Sequence, residues 1–270
     1  MPIRPLTDFP ADAPRAVAAV LCDIDDTLTT GGRLTAAAYA AMERLSAAGV
    51  RVVPVTGRPA GWCDHMARLW PVAAVVGENG AFYFRYDRER HVMRRVYAVG
   101  ATLRESHQRE LLAIGEEILR EVPGSALAAD QPYRETDLAI DFCEDVPRLP
   151  HESVERIIAL MQARGLTAKI SSIHVNGWFG AYDKLAMSRR LLREELGIDM
   201  DADPHACVFI GDSPNDAPMF GAFPLSIGVA NVRAYMGSIE HEPRYVTQAM
   251  SGQGFCELAD LLLAGRRNTT

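Results

Sequence analysis

Asp23-Ile24-Asp25-Asp26 places three carboxylates within four residues, directly after the apolar run Val17 to Cys22. Carboxylates this close repel and raise one another's pKa unless a cation sits among them. Further along the chain stand Thr56-Gly57, Lys184, and Gly211-Asp212 followed by Asn215 and Asp216. Oxygen donors from Asp side chains suit Mg²⁺, which takes few protein ligands and keeps several waters. No His or Cys is positioned to favour zinc. A lysine, a hydroxyl and backbone N–H groups beside such a cation fit a phosphoryl group, whose transfer needs in-line positioning and neutralised equatorial oxygens. The Asp-x-Asp spacing divides the work, because residues i and i+2 at a strand end point the same way. Asp23 can attack phosphorus while Asp25 protonates the leaving oxygen and later deprotonates water.

Taken singly, each segment has a plainer reading. Asp is common in turns after strands, although a plain turn gains nothing from three of them. Thr56-Gly57-Arg58-Pro59 reads as a strand-to-helix turn with Thr as N-cap. Lys184 alone is a solvated helix residue, and GDSPND (211–216) a turn plus an N-cap. Asp26 reads as a hydrogen-bonding turn residue, while Glu78 and Asn79 could brace the turn at Gly77. The chemistry emerges only when the segments are placed together.

Strand and helix signals do place them together. Val17–Cys22, Arg51–Val55 and Val72–Val76 read as buried strands, separated by helices near 34–48 and 61–70. Such alternation means right-handed βαβ units and a parallel sheet. It resumes with a helix at 184–195 and strands at 207–210, 225–229 and 245–247, before a terminal helix near 257–263. Ligands bind beyond the carboxyl ends of such strands, where the residues above sit. Between these halves lie a hairpin (81–85 and 92–97), a helix at 103–121, a strand at 138–142, a helix at 153–164 and a strand at 167–175. The expected fold is a doubly wound, Rossmann-like α/β core, residues 1–97 and 181–270, carrying an inserted α+β cap, residues 98–180.

Bulk properties narrow the partners. Net charge is −7 with no block of like charges, which argues against nucleic acid, since phosphate backbones attract clustered Lys and Arg. No apolar stretch approaches a membrane span, and the proline-rich start has no signal-peptide pattern. Cys22, Cys63, Cys143, Cys207 and Cys256 are odd in number and form no CxxC pair, so they read as small buried hydrophobes in a reducing cytoplasm. Asn268-Thr269-Thr270 matches a glycosylation sequon by chance.

DIDDTLT (23–29), VTGR (55–58), DK (183–184) and GDSPND (211–216) resemble, in order and spacing, the four motifs of the haloacid dehalogenase-like hydrolases. The cap's place between the second and third motifs, together with GENGA (77–81), is similar to the type IIB or Cof-like branch of sugar-phosphate phosphatases, mannosyl-3-phosphoglycerate phosphatase and phosphomannomutase. The resemblance implies that Asp23 is nucleophile and Mg²⁺ ligand, and that Asp25 is the acid/base and offers its backbone carbonyl to the metal. It implies that Thr56, Gly57 and Ile24 hold phosphoryl oxygens, and that Lys184 pairs with Asp23 and phosphate. Asp212 completes the metal carboxylates, Asn215 contacts phosphate and Asp216 orients the metal shell. Leu185 departs from the glycine many relatives carry after the lysine.

The implied substrate is a small phosphorylated metabolite such as a sugar phosphate. Candidate contacts to it are Arg58, Asn79, Arg134, His174, Asn176 and Trp178, with Tyr133 and Tyr182 nearby. Aromatic and hydrogen-bonding side chains suit a sugar, although Trp and Tyr at a domain junction also simply pack. A phosphomutase, in which the phosphoryl group returns to the sugar, shares every one of these features. A receiver-type signalling module would share the acidic pocket, Thr and Lys, but lacks an acid/base two residues after the acceptor Asp. Substrate and oligomeric state lie beyond the sequence.

Overall fold

The computed structural model describes residues 3–171 and 173–267, so the sequon at 268–270 lies outside the described residues. Six parallel strands form the central sheet, in the order Arg4–Pro5, Tyr245–Val246, Ser226–Gly228, Cys207–Gly211, Ala19–Cys22, Arg51–Pro54. The inner strands are buried on both faces because their alternate residues enter different cores, whereas the edge strand Arg4–Pro5 is exposed. Val20, Cys22, Val52, Val208 and Ile210 pack with Met42 and Leu45 of the Ala36–Ala47 helix and Phe255, Leu258 and Leu262 of the Ser251–Arg267 helix. Ala19, Leu21, Val53 and Phe209 pack with Met187, Leu191 and Leu192 of the Lys184–Leu196 helix. Helices on both faces make the doubly wound α/β architecture expected from the apolar runs.

A second, antiparallel sheet has the order Thr167–Ile170, His174–Trp178, Asp137–Asp141, Ala126–Leu127. Strand pleating splits its residues cleanly. Leu138, Ile140 and Val175 join Ile114 and Ile118 of the Ala101–Glu121 helix and Ile157 and Met161 of the His151–Ala163 helix in a third core. Asp137, Asp141, His174 and Asn176 occupy the opposite parity and are buried as well, at 1–4% exposure. Polar side chains this deep need partners, and Asp137 finds them in Arg134 and Asn176 and Asp141 in the N–H groups of Cys143, Glu144 and Asp145, all within the same unit.

Three expectations are corrected. The strand expected at 167–175 is two antiparallel strands, turned at Ser171, whose N–H and hydroxyl both donate to the His174 carbonyl. The strand expected at 72–76 is Val75–Gly77, which among the described residues pairs with the central sheet through the isolated parallel bridge Val55–Val76 and instead leads an antiparallel sheet with Phe82–Asp87 and Val92–Tyr97. The terminal helix begins at Ser251, earlier than its apolar periodicity suggests. None of the five cysteines is bonded to another, and Cys22, Cys63 and Cys207 are buried. Among the described residues no helix is long and apolar enough to cross a membrane.

Candidate active site

The Ala19–Cys22 strand has sequence-distant neighbours on both sides, Cys207–Gly211 and Arg51–Pro54, so the chain winds away from it in two directions. A crevice at such a switch point collects the residues beyond each strand end. Asp23 continues the ladder with its N–H on Ile210 O (3.0 Å). The next residues fold back tightly: Ile24 O accepts from Leu28 and Thr29 N–H, both at 2.9 Å. Asp26 takes a left-handed φ of 58° in that turn, a conformation Asp tolerates. Ile24 itself buries its side chain in the core.

Lys184 reaches the same point from the other side. Asp183 caps its helix by accepting from Ala186 N–H (2.7 Å), which sets Lys184 in the first turn. The Lys184 ammonium, buried, donates to Asp23 Oδ1 (2.7 Å) and Asp216 Oδ1 (3.0 Å). Asp216 Oδ2 accepts the Asp212 N–H (3.2 Å), so both its oxygens are engaged. Asp212 is steadied by the Thr27 hydroxyl (3.1 Å) and the Asn231 amide (3.5 Å), two residues the sequence reading did not single out.

One oxygen from each of Asp23, Asp212 and Asp216 lies within 4.8 Å of the others, and all three residues are buried. Burial is the main force raising the Asp23 carboxyl, with Asp216 and Asp25 adding to it and Lys184 opposing it. Asp212 is raised likewise, by burial and then by Asp23 and Asp216. Burial alone would lower Lys184, but Asp216 and Asp23 raise it above the ordinary lysine value. Three carboxylates against one ammonium leave an excess of buried negative charge that a divalent cation would offset. The donor set is all oxygen and fits Mg²⁺. Asp23 keeps Oδ2 for it and Asp212 an Oδ2 that accepts only the long 3.5 Å contact from Asn231, while Asp216 gives its oxygens to Lys184 and the Asp212 N–H.

Asp25 is held by Arg58, whose Nε lies 2.9 Å from Oδ2 and whose Nη2 lies 2.7 Å from Oδ1. Arg58 rests over the Trp62 ring, 4.7 Å from its centroid, and Glu144 and Asp130 stand 3.7 Å from its Nη1. Thr56 is fully buried, and its hydroxyl accepts the Arg58 N–H (3.0 Å), leaving its own hydrogen to donate. Gly57 lines the crevice against the Asn79 amide, which a Cβ there would approach to 3.2 Å.

The Glu78–Gly80 turn locks the two units together. Glu78 and Asn79 both adopt left-handed φ, 41° and 56°, a cost that close contacts offset. The buried Glu78 carboxylate accepts from Ala60 N–H (2.8 Å), Glu135 N–H (3.0 Å), Thr136 N–H (2.6 Å) and the Thr136 hydroxyl. At Gly80, φ 101°, a Cβ would lie 2.0 Å from Asp183 O and 2.7 Å from Lys184 N. Gly80→Ala is therefore expected to destabilise by about 1–3 kcal/mol and, by displacing Lys184, to lower kcat as well. Thermal melting and phosphate-release assays check this; unchanged kcat would mean the turn yields without moving the lysine.

A cavity of about 360 Å³ opens between the units. Asp23, Asp25, Gly57, Asp212 and Asn215 line it from the parallel-sheet unit, and Arg134, His174 and Asn176 from the antiparallel one. Arg134 is less available than its position suggests. It pairs with Asp130 (2.8 and 3.0 Å) and Asp137 (2.9 and 3.0 Å) and donates to Gly57 O (3.0 Å). Asn176 donates to Asp137 (3.1 Å). Burial drives His174 down to about 4, so it is neutral at pH 7, and its Nε2 lies 2.9 Å from Glu144 Oε2 but out of line for a hydrogen bond. Trp178, expected at the substrate, does not line this cavity: it pairs with Asp137 at the far end of the strand and stacks on Tyr182. Tyr133 is exposed outside it. Asp130, Asp137 and Glu144 went unremarked in the sequence; alternation of Asp with apolar residues through Asp137–Asp141 is the signal that was there to read.

A family model described as haloacid dehalogenase-like hydrolase matches residues 17–223. Over 253 residues the chain is 28% identical to a phosphoglycolate phosphatase of Methanothrix thermoacetophila, covering 92% of this chain and 98% of that one. Among solved structures, Thermoplasma acidophilum 0175 aligns with a TM-score of 0.69 at 19% identity, covering 92% of this chain and 98% of its own. A subclass IIB sugar phosphatase aligns at 0.63 and 13% identity, over 90% and 98%.

Proposed function

This chain belongs to the haloacid dehalogenase-like hydrolases and is a phosphoric monoester hydrolase; from that premise we propose that it hydrolyses a small phosphorylated metabolite through an aspartyl-phosphate on Asp23, with Mg²⁺. The observation that carries the reading is the buried Asp23–Lys184–Asp216–Asp212 constellation at the sheet's switch point. Asp23 and Asp212 would hold the ion with the Asp25 carbonyl. When bound, Mg²⁺ neutralises phosphoryl oxygens. Lys184 opposes the protonation of Asp23 that burial favours and orients it for in-line attack. The hydroxyl of Thr56 and the N–H groups of Ile24 and Gly57 receive the phosphoryl oxygens, with the Asn215 amide beside them. As an Asp23 oxygen bonds to phosphorus, the bond to the alcohol breaks and Asp25 gives that alcohol its proton. Asp25 then takes a proton from water, whose oxygen bonds to phosphorus while the bond to Asp23 breaks, freeing phosphate and the Asp23 carboxylate.

In this reading residues 98–180 form the cap that keeps bulk water from the acyl phosphate, and residues 1–97 and 181–270 supply the transfer chemistry. The contacts of Glu78 and Arg134 across the two units support it. The class proposed is a sugar phosphate or related small phosphomonoester, within the range of relatives that bear the names phosphoglycolate phosphatase and sugar phosphatase. A phosphate-release screen over sugar phosphates, polyol phosphates and phosphocarboxylates tests the proposal. Removing Mg²⁺ with a chelator is expected to abolish release, and adding it back to restore it. Positional transfer that requires a bisphosphate activator, without free phosphate, would assign a mutase instead.

A further inference from the structure

Two cavities meet at Asp25. The one between the units holds about 360 Å³, and a neighbour of about 450 Å³ runs beside Trp62 and Met66. Asp25 and Arg58 line both, so any departing alcohol that Asp25 protonates lies next to Arg58. Arg58 and Arg134 are the cations that line them, among the described residues.

Neither has charge to spare. Arg134 is enclosed by Asp130 and Asp137, and its remaining polar edge donates to Gly57 O. Arg58 gives its Nε and Nη2 to Asp25, and its Nη1 faces Asp130 and Glu144 at 3.7 Å each. Four carboxylates thus surround two guanidiniums. The next side chain, His174, is more than nine-tenths buried, lines the smaller cavity, is neutral at pH 7, and leaves Nε2 without a hydrogen bond. Glu144 stands beside that nitrogen at 2.9 Å and itself lines the larger cavity.

We infer that Glu144, backed by Asp130, is a specificity-determining residue that admits neutral, hydroxyl-bearing leaving groups and rejects those carrying a carboxylate or a second phosphate. The inference rests on the hydrolase reading above. A neutral polyol meets an acceptor in Glu144, which lines the larger cavity, and the Asn176 side chain, which lines the smaller one, each able to bond a hydroxyl, while the neutral His174 beside Glu144 adds no cation. An anionic group entering by either cavity meets uncompensated like charge instead, because the guanidinium that would receive it is already matched. The chain then differs in preference from the relatives whose name carries a carboxylate substrate.

A matched pair of substrates isolates the effect. Glycerol 3-phosphate and 3-phosphoglycerate share skeleton and phosphate and differ in a hydroxymethyl against a carboxylate, so attraction at the phosphate end cancels in their ratio. Wild type is expected to favour glycerol 3-phosphate in kcat/KM by about ten-fold or more. Glu144→Gln keeps the shape and removes the charge; it is expected to raise kcat/KM for 3-phosphoglycerate and narrow the ratio several-fold. A wild-type ratio of one or below overturns the inference, and so does a Glu144→Gln ratio equal to wild type, since a merely structural residue would scale both substrates together. Release of phosphate from p-nitrophenyl phosphate but from neither member of the pair also overturns it. Failure with p-nitrophenyl phosphate as well, in the presence of Mg²⁺, would instead count against the hydrolase chemistry at Asp23.

Discussion

If phosphate release is Mg²⁺-dependent as proposed, Asp23→Asn is expected to lower it by more than about 10⁴-fold, because it removes the proposed nucleophile and leaves its surroundings in place. The substitution is isosteric, and Lys184 keeps its 3.0 Å contact to Asp216. Stability should not fall with activity. Burial and the neighbouring Asp216 and Asp25 raise the Asp23 carboxyl, so the folded state favours its neutral form. An acid raised in the folded state costs stability once the pH exceeds its unfolded pKa, and a neutral amide escapes that cost. In metal-free protein at neutral pH the melting temperature of Asp23→Asn is therefore expected to equal or exceed that of wild type. Phosphate release measured beside thermal melting checks both halves. Activity persisting in this variant would remove Asp23 from its assigned role, whereas loss of activity with collapse of the fold would say nothing specific about nucleophilicity.

Arg134→Ala is expected to act the other way, chiefly on stability. Arg134 is 3% exposed and joins Asp130 and Asp137, whose side chains are 7% and 0% exposed. Burial disfavours its charge, but Asp137 and Asp130 more than compensate and raise its pKa. Truncation leaves two buried carboxylates without their cation, a loss of about 3–5 kcal/mol, or roughly 10 °C in melting temperature. Lysine should not rescue it, because a single ammonium cannot reproduce the fork that serves both carboxylates and Gly57 O. The change in kcat/KM well below the melting transition is expected to be smaller. An unchanged melting temperature with a large rise in KM would restore Arg134 as a direct substrate contact.

The two variants separate what the chain discloses in one dimension from what it does not. Asp23, Thr56, Lys184, Asp212 and Asp216 were legible because each lies just past a short apolar run or opens a helix, and a parallel sheet gathers its strand ends at one edge. The nearly unbroken apolar run Val17 to Cys22 likewise made the first central strand readable, because Val20 and Cys22 enter one core and Ala19 and Leu21 the other. The outer strands were less so: Arg4–Pro5 is a two-residue strand with no pattern to detect. The turn at Ser171 interrupts residues of nearly uniform β character, which read as one strand.

Arg58 shows where local reading ends. Beside Thr56 and Gly57 it resembles a ligand for substrate, yet its partner is Asp25, 33 positions away. Arg134 has both acidic partners within four residues, a pattern visible in the sequence, but nothing local says that the cluster is buried. Its burial follows from Glu78 binding Glu135 and Thr136 and from Gly57 receiving the guanidinium, contacts between segments 57 or more residues apart. By itself the sequence determined which groups gather at the proposed phosphoryl end, since strand order and residue type suffice to bring them to one edge. The tertiary structure decided which charges at the other end are already neutralised, because pairing and desolvation depend on how one sheet's polar face seats against another unit, and neither quantity exists until both have folded.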